Sequence, residues 1–69
     1  MDSLSGFVEK IKYRNEENSY AILSVESGGE DYVLVGTFPM ISEGEYISAE
    51  GHFQLHPTYG EQLAVETYE

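Results

Sequence analysis

The chain has 69 residues, no cysteine, and 13 acidic against 3 basic side chains, for a net charge of −10. A domain this short buries only ~60% of the surface that its unfolded chain exposes, and here it must do so without a disulfide or a thiolate metal site. The acidic balance disfavours average contact with nucleic acid or an anionic membrane and favours basic partners. Yet 41% hydrophobic residues and 13% aromatic residues are too many for a disordered acidic tail.

The opening residues, MDSLSG, carry an acid where a secretory signal needs a base, and no long apolar run follows. The expectation is a cytoplasmic protein. Apolar runs then occupy Leu4–Tyr13, Tyr20–Val25, Tyr32–Phe38, Tyr46–Phe53 and Leu63–Tyr68. Between them lie Asn15–Asn18, Ser27–Glu30, Ser42–Gly44 and His56–Gly60, all rich in turn-forming residues. The runs favour Val, Ile, Tyr and Phe, and none sustains helical spacing over three turns, so each reads as a strand. Closely spaced turns with no helix between them predict an all-β barrel or small sandwich.

Strand faces follow from alternation. In the first run Val8 and Ile11 are both apolar but three apart, which calls for a bulge beside Gly6 or near Glu9. In the second run either Tyr20 and Ile22 or Ala21, Leu23 and Val25 could form the inner set. The fourth run is clearer: Ile47, Ala49, Gly51 and Phe53 alternate with Tyr46, Ser48, Glu50 and His52, so the first four face inward. Leu63 and Val65 do the same in the fifth run, against Gln62, Ala64 and Glu66. The expected core is Ile47, Ala49, Phe53, Leu63 and Val65, with Glu50, His52 and Glu66 exposed.

The pieces also stand in a recognisable order. G-x-V-E-x-I-x-Y-R-N-E-E-N-x-Y spans Gly6–Tyr20, followed by G-x-F-P at Gly36–Pro39, G-E-x-I at Gly44–Ile47, and H-P-x-Y-G-x-Q at His56–Gln62. Over nearly the whole chain this resembles the start of bacterial RecD-like (YrrC-type) ATP-dependent DNA helicases, the exodeoxyribonuclease V alpha-chain-like proteins. The resemblance implies an N-terminal OB-type domain: a five-stranded antiparallel Greek-key barrel, cut from a longer protein of DNA repair or recombination. ATP and magnesium would then belong to the motor domains of that parent, with no cofactor in this segment. Indeed no G-x-x-x-x-G-K-[ST] occurs here, and the one glycine pair, Gly28-Gly29, precedes two acids that would repel a phosphate. Two departures stand out. Ser19 replaces the glycine usual before the second-strand tyrosine, implying mild strain or a different turn. Pro39–Glu45 is also too short for the OB helix, so a short turn is expected there.

His52 and His56 are the only histidines, with Glu50 and Glu61 nearby. Their four-residue spacing joins two ligands on a helix but not across a strand and a Pro-containing loop, so the reading is no metal. No inward-facing acid and no Ser or Thr beside a histidine suggests catalysis in this segment. Lys10, Lys12 and Arg14 are the whole basic complement, at alternate positions around Tyr13. On a regular strand they would form one stripe. OB barrels contact oligonucleotides with the strand two–three face and the loops joining strands one to two and four to five. Those loops are Asn15–Asn18 and His56–Gly60, the second offering His56 and Tyr59, the latter as a stacking platform. The candidate site is therefore Lys10, Lys12, Tyr13, Arg14, His56 and Tyr59, and the candidate partner is single-stranded DNA. The alternatives are docking of the acidic surface on another domain of the helicase or on a basic repair protein and, more remotely, a free-standing DNA mimic; no membrane contact is expected.

Overall fold

A computed structural model describes all residues 1–69, as five strands and no helix. They are β1 (Asp2–Arg14), β2 (Tyr20–Ser27), β3 (Glu30–Thr37), β4 (Tyr46–His56) and β5 (Gly60–Tyr68). The sheet closes on itself in the order β1-β2-β3-β5-β4. Four of the five pairings are antiparallel, and β3 with β5 is parallel. That one parallel seam is unavoidable, because directions cannot alternate all the way round a ring with an odd number of strands. It is also the shortest seam, with only Leu34↔Leu63 and Val35↔Ala64 in register.

Closure bends the strands sharply, and glycine makes room where backbones cross. A Cβ on Gly6 would collide with the Glu26 carbonyl, and one on Gly51 with the Ala64 carbonyl. Gly51 adjoins a register shift between β4 and β5, where Glu66 is the extra residue on β5. Bulges of this kind increase local twist and turn a strand around a barrel. In β1 two shifts occur, between Val8 and Lys10 and between Ile11 and Tyr13. The first is the bulge that the Val8/Ile11 spacing demands; the second, at Lys12, has no counterpart in the sequence pattern.

The core comprises Leu4, Val8, Ala21, Leu23, Val25, Leu34, Phe38, Ile41, Ile47, Ala49 and Leu63. The second run thus turns Ala21, Leu23 and Val25 inward. The β3–β4 connection does what a helix would have done. Phe38 and Ile41 fold under the barrel, Phe38 packs on Tyr68 with ring centroids 5.1 Å apart, and the Tyr68 hydroxyl donates to the Pro39 carbonyl at 3.1 Å. Glu43 Oε2 then accepts the Ile11 amide, 3.0 Å away.

Phe53 corrects the expected core. It lies opposite the buried Leu63 on the inner side of β4, yet it is 36% exposed. The inner set leaves the barrel as β4 runs on into its hairpin: Ile47 and Ala49 are buried, and Leu55 stands almost wholly in solvent. At the mouth Phe53 leans on Tyr32, centroids 6.5 Å apart. Val65 is half-buried against the core, and Glu50, His52 and Glu66 are exposed as expected.

The β1–β2 loop is closed by its own side chains. Asn15 Oδ1 accepts the Glu17 amide and Asn18 Oδ1 accepts the Tyr20 amide, each at 2.9 Å. Ser19 carries φ 63°, the left-handed region expected from the glycine it replaces.

Phe38→Ala should cost about 3–5 kcal/mol, comparable with the whole stability of so short a chain. Phe53→Ala should cost only about 1–2 kcal/mol, because part of that ring is already in water. Chemical denaturation of the two variants checks the order; equal losses would place Phe53 back in the core. Ser19→Gly should stabilise by about 1 kcal/mol, since a left-handed conformation penalises any Cβ. This appears as a rise in Tm of roughly 4–8 °C, and an unchanged Tm would show that the loop holds no strain.

Candidate nucleic-acid interface

The largest concavity is a groove of about 430 Å³ on the outer wall, lined by Lys12, Tyr13, Ile22, Val33, Tyr59 and Gln62. Register explains how residues so distant in sequence meet. Tyr13 lies opposite Ile22, and Ser24, two residues along β2, lies opposite Val33. Gln62 and Tyr59 arrive from the neighbouring β4–β5 hairpin. The floor is apolar although it faces away from the core.

Of the residues named from sequence, Lys12, Tyr13 and Tyr59 line this groove. Lys12 projects at the second β1 bulge, where the strand alternation is interrupted. Tyr13 is half-exposed and tilts toward Tyr20, centroids 6.5 Å apart. Tyr59 is 71% exposed at the hairpin tip, a ring with its face available to a stacking partner. His56 stands behind it. Its Nδ1 accepts the Thr58 and Tyr59 amides at 3.0 and 3.2 Å, and its ring lies 4.7 Å from that of Tyr59. His56 thus shapes the loop and braces the tyrosine.

The basic stripe does not form. Lys10 pairs outward with Ser24, two ladder rows away from Tyr13 and Ile22. The bulge at Lys12 then shifts the phase, so Arg14 falls opposite the buried Ala21. There its guanidinium donates to the Ile41 carbonyl, serving the lower closure of the barrel. Lys10 and Lys12 therefore remain as the cations near the groove. Nor do the two histidines converge: His52 Nε2 lies 3.0 Å from Glu66 Oε2 on the strand surface, and His56 is committed to its loop.

Ile22, Val33 and Gln62 were not singled out from the sequence. Gln62 lies on the outer side of β5 but is only 5% exposed, with Gln54 Nε2 3.4 Å from its Oε1. The signal for the two apolar residues was present as an ambiguity. Tyr20–Val25 is apolar on both faces, and a barrel strand apolar on its outer face marks a surface meant to be covered.

Electrostatically, acids crowd beside the β1 bulge. The Glu9 carboxyl is held above the ordinary glutamate range, first by its hydrogen bond with the Asp31 carboxyl, then by partial desolvation and by repulsion from Asp31 and Glu26. The folded chain thus binds this proton more tightly than the unfolded one. Stability from this group is complete below the ordinary glutamate value and is lost as pH rises through the raised one. Glu9→Gln should therefore melt higher than the parent chain at neutral pH, and the gap should close once the medium is more acidic than the carboxylate range. Parallel melts across pH test this; a constant gap would refute the proton-sharing contact.

Comparison with known proteins adds one finding to this geometry. No curated protein and no solved structure matches the chain. A family model does, described as "ATP-dependent DNA helicase YrrC, OB-fold domain", and it covers residues 1–69. With its closed five-stranded barrel and its matched span running from end to end, the chain belongs to the family of OB-fold domains of YrrC ATP-dependent DNA helicases.

Proposed function

We propose that the chain is an accessory domain of a bacterial, cytoplasmic, RecD-like helicase of DNA repair, and that its groove guides single-stranded DNA. ATP and magnesium would act in the motor domains of that parent, outside this segment. The observation that carries the reading is the outward apolar groove between Tyr13 and Tyr59, with Lys12 at its rim. Stacking is the chemistry such a groove offers. Every base has a π-face, so two exposed tyrosines accept a strand without regard to sequence, at ~1–3 kcal/mol per stacked base. Gln62, held by Gln54 beneath the groove, adds a polar group to the floor.

The groove occupies the part of an OB barrel that contacts oligonucleotides: the outer wall of the second and third strands with the loop between the fourth and fifth. Cations contribute little. With Arg14 engaged by Ile41, two lysines remain, and a net charge of −10 opposes a polyanion. Binding by the chain alone is thus weak and grows only when the rest of the helicase holds the strand nearby.

Titration with a short oligothymidylate at low salt tests this by amide chemical shifts. Signals of Lys10–Tyr13, Ile22, Val33, His56–Gly60 and Gln62 should move, and those of Ser27–Glu30 and Ser42–Glu45 should stay. The logarithm of affinity should fall with that of salt at a slope of only about −1.4, for about two phosphates on a single strand. Tyr59→Ala should weaken binding by ~1–3 kcal/mol, with the fold intact because that ring is exposed. Shifts confined to the far loops, or binding indifferent to Tyr59→Ala, would overturn the reading.

A further inference from the structure

The outer wall carries a second arrangement that DNA contact does not use. Tyr46, Phe7, Glu26 and Asp31 are successive ladder partners across β4, β1, β2 and β3. They therefore stand in one row across four strands, about 14 Å long at the usual strand spacing. All four are exposed. Phe7 and Tyr46, 52% and 58% exposed, pack edge to face with centroids 4.9 Å apart and planes at 72°. Glu9, from the first β1 bulge, adds a third carboxyl, close enough to Asp31 and Glu26 for them to raise its pKa. One half of the row is thus aromatic and the other half acidic.

Such a row specifies an occupant. Exposed ring faces attract a guanidinium or ammonium through the ring quadrupole, and carboxylates next to them give the same cation, or its neighbour, a charged acceptor. The chain pairs no cation of its own with these acids: Lys10, two ladder rows away opposite Ser24, makes no ion pair, the one ion pair joins His52 and Glu66, and Arg14 is bonded to Ile41. A nucleic acid is repelled by Glu9, Glu26 and Asp31, and a second copy would bring −10 against −10.

We propose that the Tyr46–Phe7–Glu26–Asp31 row is a docking site for an extended, arginine-bearing segment of another protein or domain. The arginine side chain lies against the aromatic pair while the adjoining positive charges meet Glu26, Asp31 and Glu9. The row adjoins the groove without sharing a residue with it: on β3, Asp31 lies two residues from Val33, about 7 Å, and on β2, Glu26 lies four from Ile22, about 13 Å along the strand.

The test is a low-salt titration with a peptide of about ten residues alternating arginine and serine, long enough to span the row, beside the same peptide with citrulline for arginine. The arginine peptide should shift the amides of Phe7, Glu26, Asp31 and Tyr46 and leave Ile22 and Gln62 unmoved. The neutral citrulline peptide should shift none of them. Phe7→Thr, Tyr46→Thr and Glu26→Gln should each weaken binding about tenfold, as loss of a central contact does, whereas Glu16→Gln in the β1–β2 loop should have little effect. Equal losses from Glu16→Gln and Glu26→Gln, or unchanged binding in Phe7→Thr, would reduce the effect to general attraction by net charge and overturn the site. So would sedimentation showing self-association that Phe7→Thr abolishes, or an oligothymidylate that shifts the same row. Because Glu26→Gln changes an exposed carboxyl to its near-isosteric amide, it decides the matter even if an aromatic variant folds poorly.

Discussion

Where Gly6 passes the Glu26 carbonyl and Gly51 passes the Ala64 carbonyl, the backbones lie too close for any side chain. This crowding allows five strands to close around a core of mostly medium-sized side chains, and most other features follow from it. A small barrel needs steep bending, and the bending is concentrated at the glycines and at the register shifts in β1 and β5. Those shifts decide which way the side chains beyond them point. The bulge at Lys12 puts that lysine at the groove rim and turns Arg14 toward the Ile41 carbonyl. One backbone constraint thus divides a short basic segment between two tasks.

The lower end of the barrel shows how the chain manages without a helix. Phe38 and Ile41 plug the opening, and three tethers hold them: Tyr68 to Pro39, Arg14 to Ile41, and Glu43 to the Ile11 amide. No buried side-chain polar atom is left without a partner, so the core is not weakened by stranded hydrogen-bonding groups. The opposite mouth is looser. There Phe53 and Tyr32 are only partly covered, and the β4–β5 hairpin carries Leu55 and Tyr59 into solvent. The proposed DNA contact lies at that hairpin and on the wall beside it, on a loop held in place by the barrel.

The outer wall combines opposite chemistries at short range. Around Tyr13, Ile22 and Val33 it is apolar with a lysine at the rim; around Phe7 and Tyr46 it is aromatic and flanked by acids. The net charge of −10 is therefore not spread as a uniform repulsive shell. Carboxylates are dense enough around Glu9 to raise its pKa, and of the three cations Lys12 lines the groove. The two proposed contacts, with a DNA strand and with a basic partner, rest on this division of the surface.

Much of the fold was legible because its signals are local. The turn residues at Asn15–Asn18, Ser27–Glu30, Ser42–Gly44 and His56–Gly60 bracket apolar, β-branched runs, and no interval among them is long enough for a helix between β3 and β4. The ordered motifs from Gly6 to Gln62 pointed to the family, and the absence of a phosphate-cradling loop was equally plain. Ser19, standing where glycine is usual, left mild strain or a different turn open, and its φ of 63° decides for the first. Alternation, by contrast, says which residues share a face but not which face turns inward when both are apolar, and so Ile22 stayed ambiguous. It also assumes an unbroken phase, which the bulge at Lys12 ends, and so the three cations looked like a stripe. Phe53 followed the inner pattern correctly, but only the length of β4 relative to the barrel decided that its ring reaches the mouth. The groove and the Tyr46–Phe7–Glu26–Asp31 row depend on which residues lie side by side across strands. That register is set by closure of the whole sheet, a long-range condition that no local stretch of sequence contains.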